Sequence, residues 1–351
     1  MNTDLTFSCR QQLELADALD ALSGLDAAPA LAGRLRECLV GAAGNGLDGL
    51  VATRLISVFN DRLTARIIEL TAARHRLPPV DWCWLALGSE GRHEQTFVTD
   101  QDNGLIFNAA SAQEASALRQ IFLPFAQEVN QHLAACGFAL CSGQIMAGNP
   151  AWCLSLEEWR GQFIDWVRRP EPEALLNASI FFDLRPLFGD LALGERLRTL
   201  LLSMTVATPS FQHLMAANAL QVDVPLNFRG DIAAGEGDSI DLKKYGSRIF
   251  VDAARIFALS SGTKAVNTGE RLRQAGSSVG LPAAEIDAVV AAFSQILRLR
   301  LARQIAAAGQ GELGGYGLKP AELHDIDRAI LREALKQAKR LQQRLKLNYA
   351  L

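Results

Sequence analysis

The stretch L-G-S-E-G-R-H-E-Q-T-F-V-T-D-Q-D-N-G-L-I-F, from Leu87 to Phe107, decides how this chain is read. It continues the run W-C-W-L-A-L (82–87), large apolar residues that stop at a turn-forming glycine and so suit a buried strand. Gly88 and Ser89 then open a polar, helix-like segment that begins at Glu90. Backbone N–H groups at such a turn, reinforced by a helix N-terminus, form a cradle for phosphate. Gly88 lets a phosphate approach the backbone, and the Ser89 hydroxyl can bond a phosphate oxygen. A second strand is predicted over Asn103–Phe107, with Asp100 and Asp102 at its entrance. Side chains at i and i+2 of a strand share a face. Two carboxylates so placed repel each other, and a cation relieves them. Mg²⁺ (or Mn²⁺) with substrate phosphates suits the pair, because Mg²⁺ takes one or two carboxylates together with phosphate oxygens.

Each part alone is weak: G-S-x-G is commonly an ordinary turn, and D-x-D is common turn chemistry at strand ends. A calcium loop fails on spacing. Gly104 is fifth from Asp100 rather than sixth, and Ser111 stands twelfth, where a bidentate Glu is required. The signal is the conjunction of strand, G-S turn, short polar connection and D-x-D at the start of a second strand.

Around this stretch the chain reads as helix. Leu15, Leu19, Leu22, Leu31, Leu35 and Leu39, then Leu50, Leu55, Phe59, Leu63, Ile67 and Leu70, recur at helical spacing up to about Arg74. Gly41, Gly44, Gly46 and Gly49 divide this region into two or three helices, and Pro78-Pro79 closes it. A helix over Ala112–Ala135 and a third strand over Phe138–Ser142 complete a small mixed sheet. After Pro150 helices are predicted from Trp152 to Trp166, over 172–187, 191–206 and 210–221, then Tyr245–Leu259, Thr268–Ala275, Pro282–Ala307 and Pro320–Leu347. The Trp-rich helix reads as core rather than a base-stacking platform. Residues 222–239, rich in Gly, Asp and Pro, read as a long loop. The expected architecture is α+β: a helical segment over 1–74, a mixed-sheet domain over 75–190 and an all-α domain over 191–351.

Composition narrows the function classes. The 351 residues are 49% hydrophobic and 21% charged, as in a folded soluble protein. The formal net charge of −3 supplies no excess of cations for a phosphate backbone, so nucleic acid is not an expected partner. The six cysteines form no C-x-x-C pair and the five histidines no zinc spacing, which points to free thiols in a reducing compartment. The start, with Asp4 and no apolar stretch, is not read as a signal peptide, and no apolar run reaches spanning length, so a cytoplasmic location is expected.

G-S-x-G-R-x-E (88–94) followed by T-D-x-D-N (99–103) resembles the nucleotidyltransferases grouped as domain of unknown function 294, relatives of the bacterial PII-uridylyltransferase in the DNA polymerase beta-like superfamily. The similarity extends to Cys141–Pro150, Ile180–Asp190 and Ile240–Arg273, the last containing I-D-L-K-K-Y-G and N-T-G-E-R-L and resembling the family's substrate-binding domain. The resemblance implies that Gly88 and Ser89 hold a nucleoside triphosphate and that Asp100 and Asp102 are catalytic carboxylates ligating Mg²⁺. It implies that Arg92 neutralises phosphate charge, with Glu94 orienting it or completing the turn. Lys243 and Lys244, which follow Asp241, are candidates for the nucleotide's phosphates, and helix-start capping is an equal alternative for them. The superfamily places a third carboxylate on a neighbouring strand. Phe138–Ser142 offers Cys141 and Ser142 but no acid, and Asp183 reads as a structural support for Arg185.

The implied function is transfer of a nucleotide from a triphosphate to a hydroxyl of a protein or small-molecule acceptor, in signalling, by a chain that forms a homodimer through its terminal helices or acts alone. The alternative is a nucleotide-binding regulatory module without catalysis. A helical interaction scaffold with a vestigial site is a third reading.

Overall fold

The computed structural model describes residues 2–44, 46–233, 238–309 and 317–351, with side chains from Arg10 onward. Part of the expected 222–239 loop, residues 234–237, lies outside the described residues. The architecture is α+β, as expected, and the chain divides into two compact units.

The first unit comprises Met1–Asn45, Arg54–Ile164 and Ile180–Leu200. Helices α1 (Asn2–Asp20) and α2 (Ala28–Gly44) pack through the leucine pattern, with Leu15, Leu19, Leu31, Leu35 and Leu39 all buried. From α3 (Gly49–Ala72) the unit takes the part after Thr53, whose Ile56, Phe59, Leu63 and Ile67 are buried. Its sheet joins β1 (Trp82–Ala86), β2 (Asn103–Phe107), β3 (Cys153–Ser155) and β4 (Arg185–Gly189) in the order β3-β2-β1-β4. β1 is antiparallel to β2 and β4, and β2 is parallel to β3. Helix α5 (Ala112–Ala135) starts where Ser111 caps the Glu114 N–H. It lays Phe122 and Phe125 against Trp82 and Phe107, with ring centroids 5.2–6.0 Å apart. Trp159, on α6 (Leu156–Arg168), is fully buried and donates its indole N–H to Leu105 O at 3.1 Å. It is core, as the sequence suggests.

Three expectations are corrected here. The segment 138–142 is not a strand, since it makes a single parallel bridge, Asp100 to Ala139. The sheet is instead closed by β3 and β4, in stretches expected to be helical. Trp152 belongs to a 3₁₀ turn (Pro150–Trp152), and α6 begins only at Leu156. The helix expected over 172–187 is α7 (Pro172–Phe181), which ends before β4. Pro186 lacks an N–H and fits β4, an edge strand that kinks against β1 between Trp84 and Leu85.

The second unit comprises Gly46–Thr53, Asp165–Ser179 and Leu201–Leu351. Helix α8 (Leu191–Val206) runs from the first unit into this one. α9 (Pro209–Ala219), α11 (Thr268–Ala275) and α13 (Asp325–Tyr349) surround α10 (Arg248–Ser261), and α12 (Ala283–Gly309) packs on α11 and α13. Every residue from Ile249 to Leu259 is buried, so α10 is enclosed on all sides. Its polar pair is matched internally: Arg255 Nη1 donates to Asp252 Oδ1 at 2.6 Å. The α10 helix does not start at Tyr245 as expected, because a π-helical turn over Lys243–Ser247 precedes it. The last helix does not start at Pro320 either. Leu323 and His324 are extended, so Pro320–Glu322 forms a separate 3₁₀ turn. A short ladder pairs β5 (Ile240–Asp241) with β6 (Gly317–Leu318). Among the described residues no helix is long and apolar enough to cross a membrane.

Candidate active site

The site is assembled in the first unit by the turn between β1 and β2. β1 ends at Ala86, and Gly88–Gly91 forms α4, a single helical turn. Gly88 has φ +52°, a conformation that L side chains rarely adopt. A Cβ added there would lie 2.5 Å from Asp102 Oδ2. The carboxylate therefore sits directly over the Gly88 backbone, held in register because the Leu87 N–H bonds Asp102 O at 2.9 Å.

Alternation along residues 100–103 separates two kinds of polar group. Gln101 and Asn103 are buried toward α5, where Asn130 Nδ2 donates to Gln101 Oε1 at 2.8 Å and to Asn103 Oδ1 at 3.0 Å. Gln101 Nε2 also donates to Asn130 O and Phe138 O, and the Ala147 N–H to Asn103 Oδ1. Asp100 and Asp102 are half-buried and converge with Cys141, whose Sγ lies within 4.8 Å of a carboxylate oxygen of each. Among the described residues no other set of three Asp, Glu, His or Cys ligand atoms gathers in this way. Burial raises the Cys141 thiol's pKa, the Ile145 N–H lowers it, and the charge of Asp102 raises it again.

Behind the turn stand two arginines. Arg92 Nε donates to Glu94 Oε2 at 2.8 Å and its Nη1 to Asp183 Oδ2 at 2.6 Å. Glu94 thus holds Arg92, as expected, but Asp183 supports Arg92 rather than Arg185. Asp183 lies between α7 and β4 rather than on a helix, with its side chain fully buried. Arg185 instead pairs with Asp61 at 2.8 Å and donates to the carbonyls of Glu90 and Gly91, closing the end of α4. Gly91 is obligatory for this packing, since a Cβ there would lie 2.2 Å from Asp183 O.

Glu90 is the member of this site that sequence reasoning passed over. Its carboxyl is buried on α4, and its pKa is pushed up to about 8, first by burial, then by Asp61 and Asp102, with Arg185 acting against them. Asp61 on α3 was also missed, and nothing in its local sequence marks it. Only its counter-charge on β4 does.

The structure brings Gly88, Ser89, Arg92, Glu94, Asp100 and Asp102 together in the first unit. Lys243 and Lys244 belong to the second unit and are exposed. Their N–H groups bond Asp241 Oδ1 at 2.8 and 3.0 Å, which is the capping alternative, and Lys244 Nζ lies 4.9 Å from the centre of the Tyr245 ring.

Two family models match the chain. Residues 33–173 match the family described as "Putative nucleotidyltransferase DUF294", and residues 209–349 match the "Putative nucleotidyltransferase substrate binding domain". No curated protein matches it. The first match contains the whole G-S turn and the Asp pair, and the second spans the helices from α9 to α13. Together they cover most of the sequence, and the chain belongs to the DUF294 nucleotidyltransferase family.

Proposed function

We propose that this protein transfers a nucleoside monophosphate from a triphosphate to a hydroxyl group of a protein or small-molecule acceptor, with a divalent cation at Asp100 and Asp102. The observation that carries the reading is the placement of Asp102 Oδ2 over the Gly88 backbone. It puts a metal-ligating carboxylate against the turn whose N–H groups suit a phosphate. The donor set fits a cation, because two carboxylates converge with a thiol, and like charges so placed favour a cation between them.

In this reading the α4 turn holds the triphosphate through its N–H groups and the Ser89 hydroxyl. Asp100 and Asp102 would hold the cation, which when bound would supply positive charge where the leaving group develops negative charge. The acceptor oxygen bonds to the α-phosphorus as the bond from that phosphorus to the β-phosphate oxygen breaks. Pyrophosphate leaves and the hydroxyl proton passes to water. Arg92, already engaged with Glu94 and Asp183, acts by fixing the turn and adding positive potential behind it. Lys243 and Lys244 remain assigned to phosphate on their charge and exposure. The place in signalling, the cytoplasmic location, the homodimer and the division at 75–190 and 191–351 belong to the same proposal.

Transfer of label from α-labelled ATP, UTP, GTP or CTP into a native extract, with Mg²⁺ or Mn²⁺, tests the reading. A labelled product that disappears in Asp102→Asn supports it, and full activity in that variant refutes it. A specific observation favours a second reading, a module that binds the triphosphate and transfers nothing: the third group that gathers with Asp100 and Asp102 is the thiol of Cys141, not a carboxylate. Tight binding of metal-triphosphate without labelled product would select it.

A further inference from the structure

The cluster of Asp100, Asp102 and Cys141 says more about the cation than the Asp pair does. The segment carrying Cys141 is fixed to the Asp pair by backbone bonds on both sides of the thiol. The Gln101 N–H donates to Ala139 O at 2.8 Å, the Ala139 N–H to Thr99 O at 3.2 Å, and the Asn103 N–H to Ile145 O at 3.1 Å. The turn that follows is closed by the Gln144 N–H on Cys141 O, with Gln144 at φ +56°. The thiol is therefore positioned by the fold, 7% exposed, and faces the same space as the two carboxylates. The other cysteines with described side chains, Cys38, Cys83, Cys136 and Cys153, are buried outside any such cluster.

Resting on the reading of Asp100 and Asp102 as metal ligands, we infer that Cys141 is the third protein donor of the same site, so that this site binds a thiophilic divalent cation as well as an oxygen-seeking one. Three donor atoms lie within 4.8 Å of one another, and one of the three is sulfur. Magnesium takes oxygen ligands and gains nothing from a thiol. Cobalt, zinc and cadmium accept mixed oxygen and sulfur sets, and a thiolate among the ligands favours them over magnesium. The thiol loses its proton to solvent when its sulfur bonds the cation, so no oxidant or reductant is required. The site is thereby built to discriminate among divalent ions. Zinc-class ions bind it tightly, and the Mg²⁺ form depends on the two carboxylates and the phosphates.

Co²⁺ added to the full-length chain under reducing conditions reads the sulfur directly, through the near-ultraviolet sulfur-to-cobalt charge-transfer band. The band is expected in the wild type and absent in Cys141→Ser, with Cd²⁺ affinity reduced ~10-fold or more in that variant. Cys141→Asp, which restores a carboxylate, is expected to lose the band and move the preference toward Mg²⁺. No band in the wild type, or a band that survives in Cys141→Ser, overturns the inference. The outcome is separable from the proposed function. Labelled transfer without a cobalt–sulfur band removes the thiol and leaves the transferase. A band that Cys141→Ser abolishes, in a chain that neither binds nor transfers nucleotide, does the reverse.

Discussion

Two groups of acids lie within the same unit and are treated in opposite ways. Glu94 and Asp183 converge on Arg92, and Asp61 on Arg185, each at ordinary ion-pair distance with side chains mostly buried. Asp100 and Asp102 instead crowd together with Cys141, while the neighbouring Glu90 has its pKa pushed up to about 8, first by burial, then by Asp61 and, last, by Asp102. The first group is structural chemistry: charge is matched by charge, and the backbone of the turn is held by the arginines. The second accumulates negative potential beside a phosphate-shaped turn. That arrangement is costly for an empty protein and becomes favourable when a cation arrives. The difference separates the acids that hold the fold from those proposed to hold a cation.

Breaking the matched group is expected to cost most in stability. Arg92→Met leaves Glu94 and Asp183 buried without their shared cation, a loss of ~3–5 kcal/mol readable by chemical denaturation. The buried Glu90 should respond in the opposite sense. A carboxyl whose folded pKa is raised from 4.5 to about 8 keeps its proton in the native state while the unfolded chain ionises. Stability therefore falls as pH rises from about 4.5 to about 8. Glu90→Gln should remove that slope and stabilise the protein at pH 8 by on the order of 3 kcal/mol. Added Mg²⁺ should flatten the wild-type slope, since a cation at Asp102 favours the ionised Glu90. A slope that is unchanged in Glu90→Gln would mean that the burial of Glu90 is not its source.

A smaller effect is expected on the opposite face of the same residues. Asn130→Ala removes the donor to Gln101 Oε1, one of the two donors to Asn103 Oδ1 and the acceptor of the Gly148 N–H, at a cost of roughly 1–3 kcal/mol. Because that network aims Asp100 and Asp102, the variant should also weaken metal-dependent nucleotide binding more than its stability loss alone explains. Equal loss of both would make the network a packing feature only.

Much of this was legible in the sequence, and the gaps have physical causes. β1, β2 and α5 were readable because apolar runs and a turn-forming glycine agree with strands over Trp82–Ala86 and Asn103–Phe107, and a helical apolar spacing with the helix over Ala112–Ala135. β3 was hidden because three residues between Trp152 and Leu156 also satisfy a helical period, and only pairing with β2 selects the strand. β4 carries Pro186 and ends at Gly189, and both argue against a helix running through 187. The apolar stretch 138–142 has a strand's composition, but it touches Asp100 at one bridge and then turns through Gly143 and Gln144. The Asp pair and the G-S turn were legible as local spacing. Arg92's second partner and Asp61's role were not, because those contacts join residues distant in sequence.

The central claim is that the crowded acids serve a cation that positions a nucleotide for transfer. Its most direct test is α-labelled triphosphate with Mg²⁺ or Mn²⁺ and native extract, comparing the wild type with Asp100→Asn/Asp102→Asn at matched folded fraction. The account predicts a labelled product that falls by roughly 10³-fold or more in the double variant, several kcal/mol of lost transition-state stabilisation, without loss of thermal stability. Undiminished labelling in the double variant would contradict it.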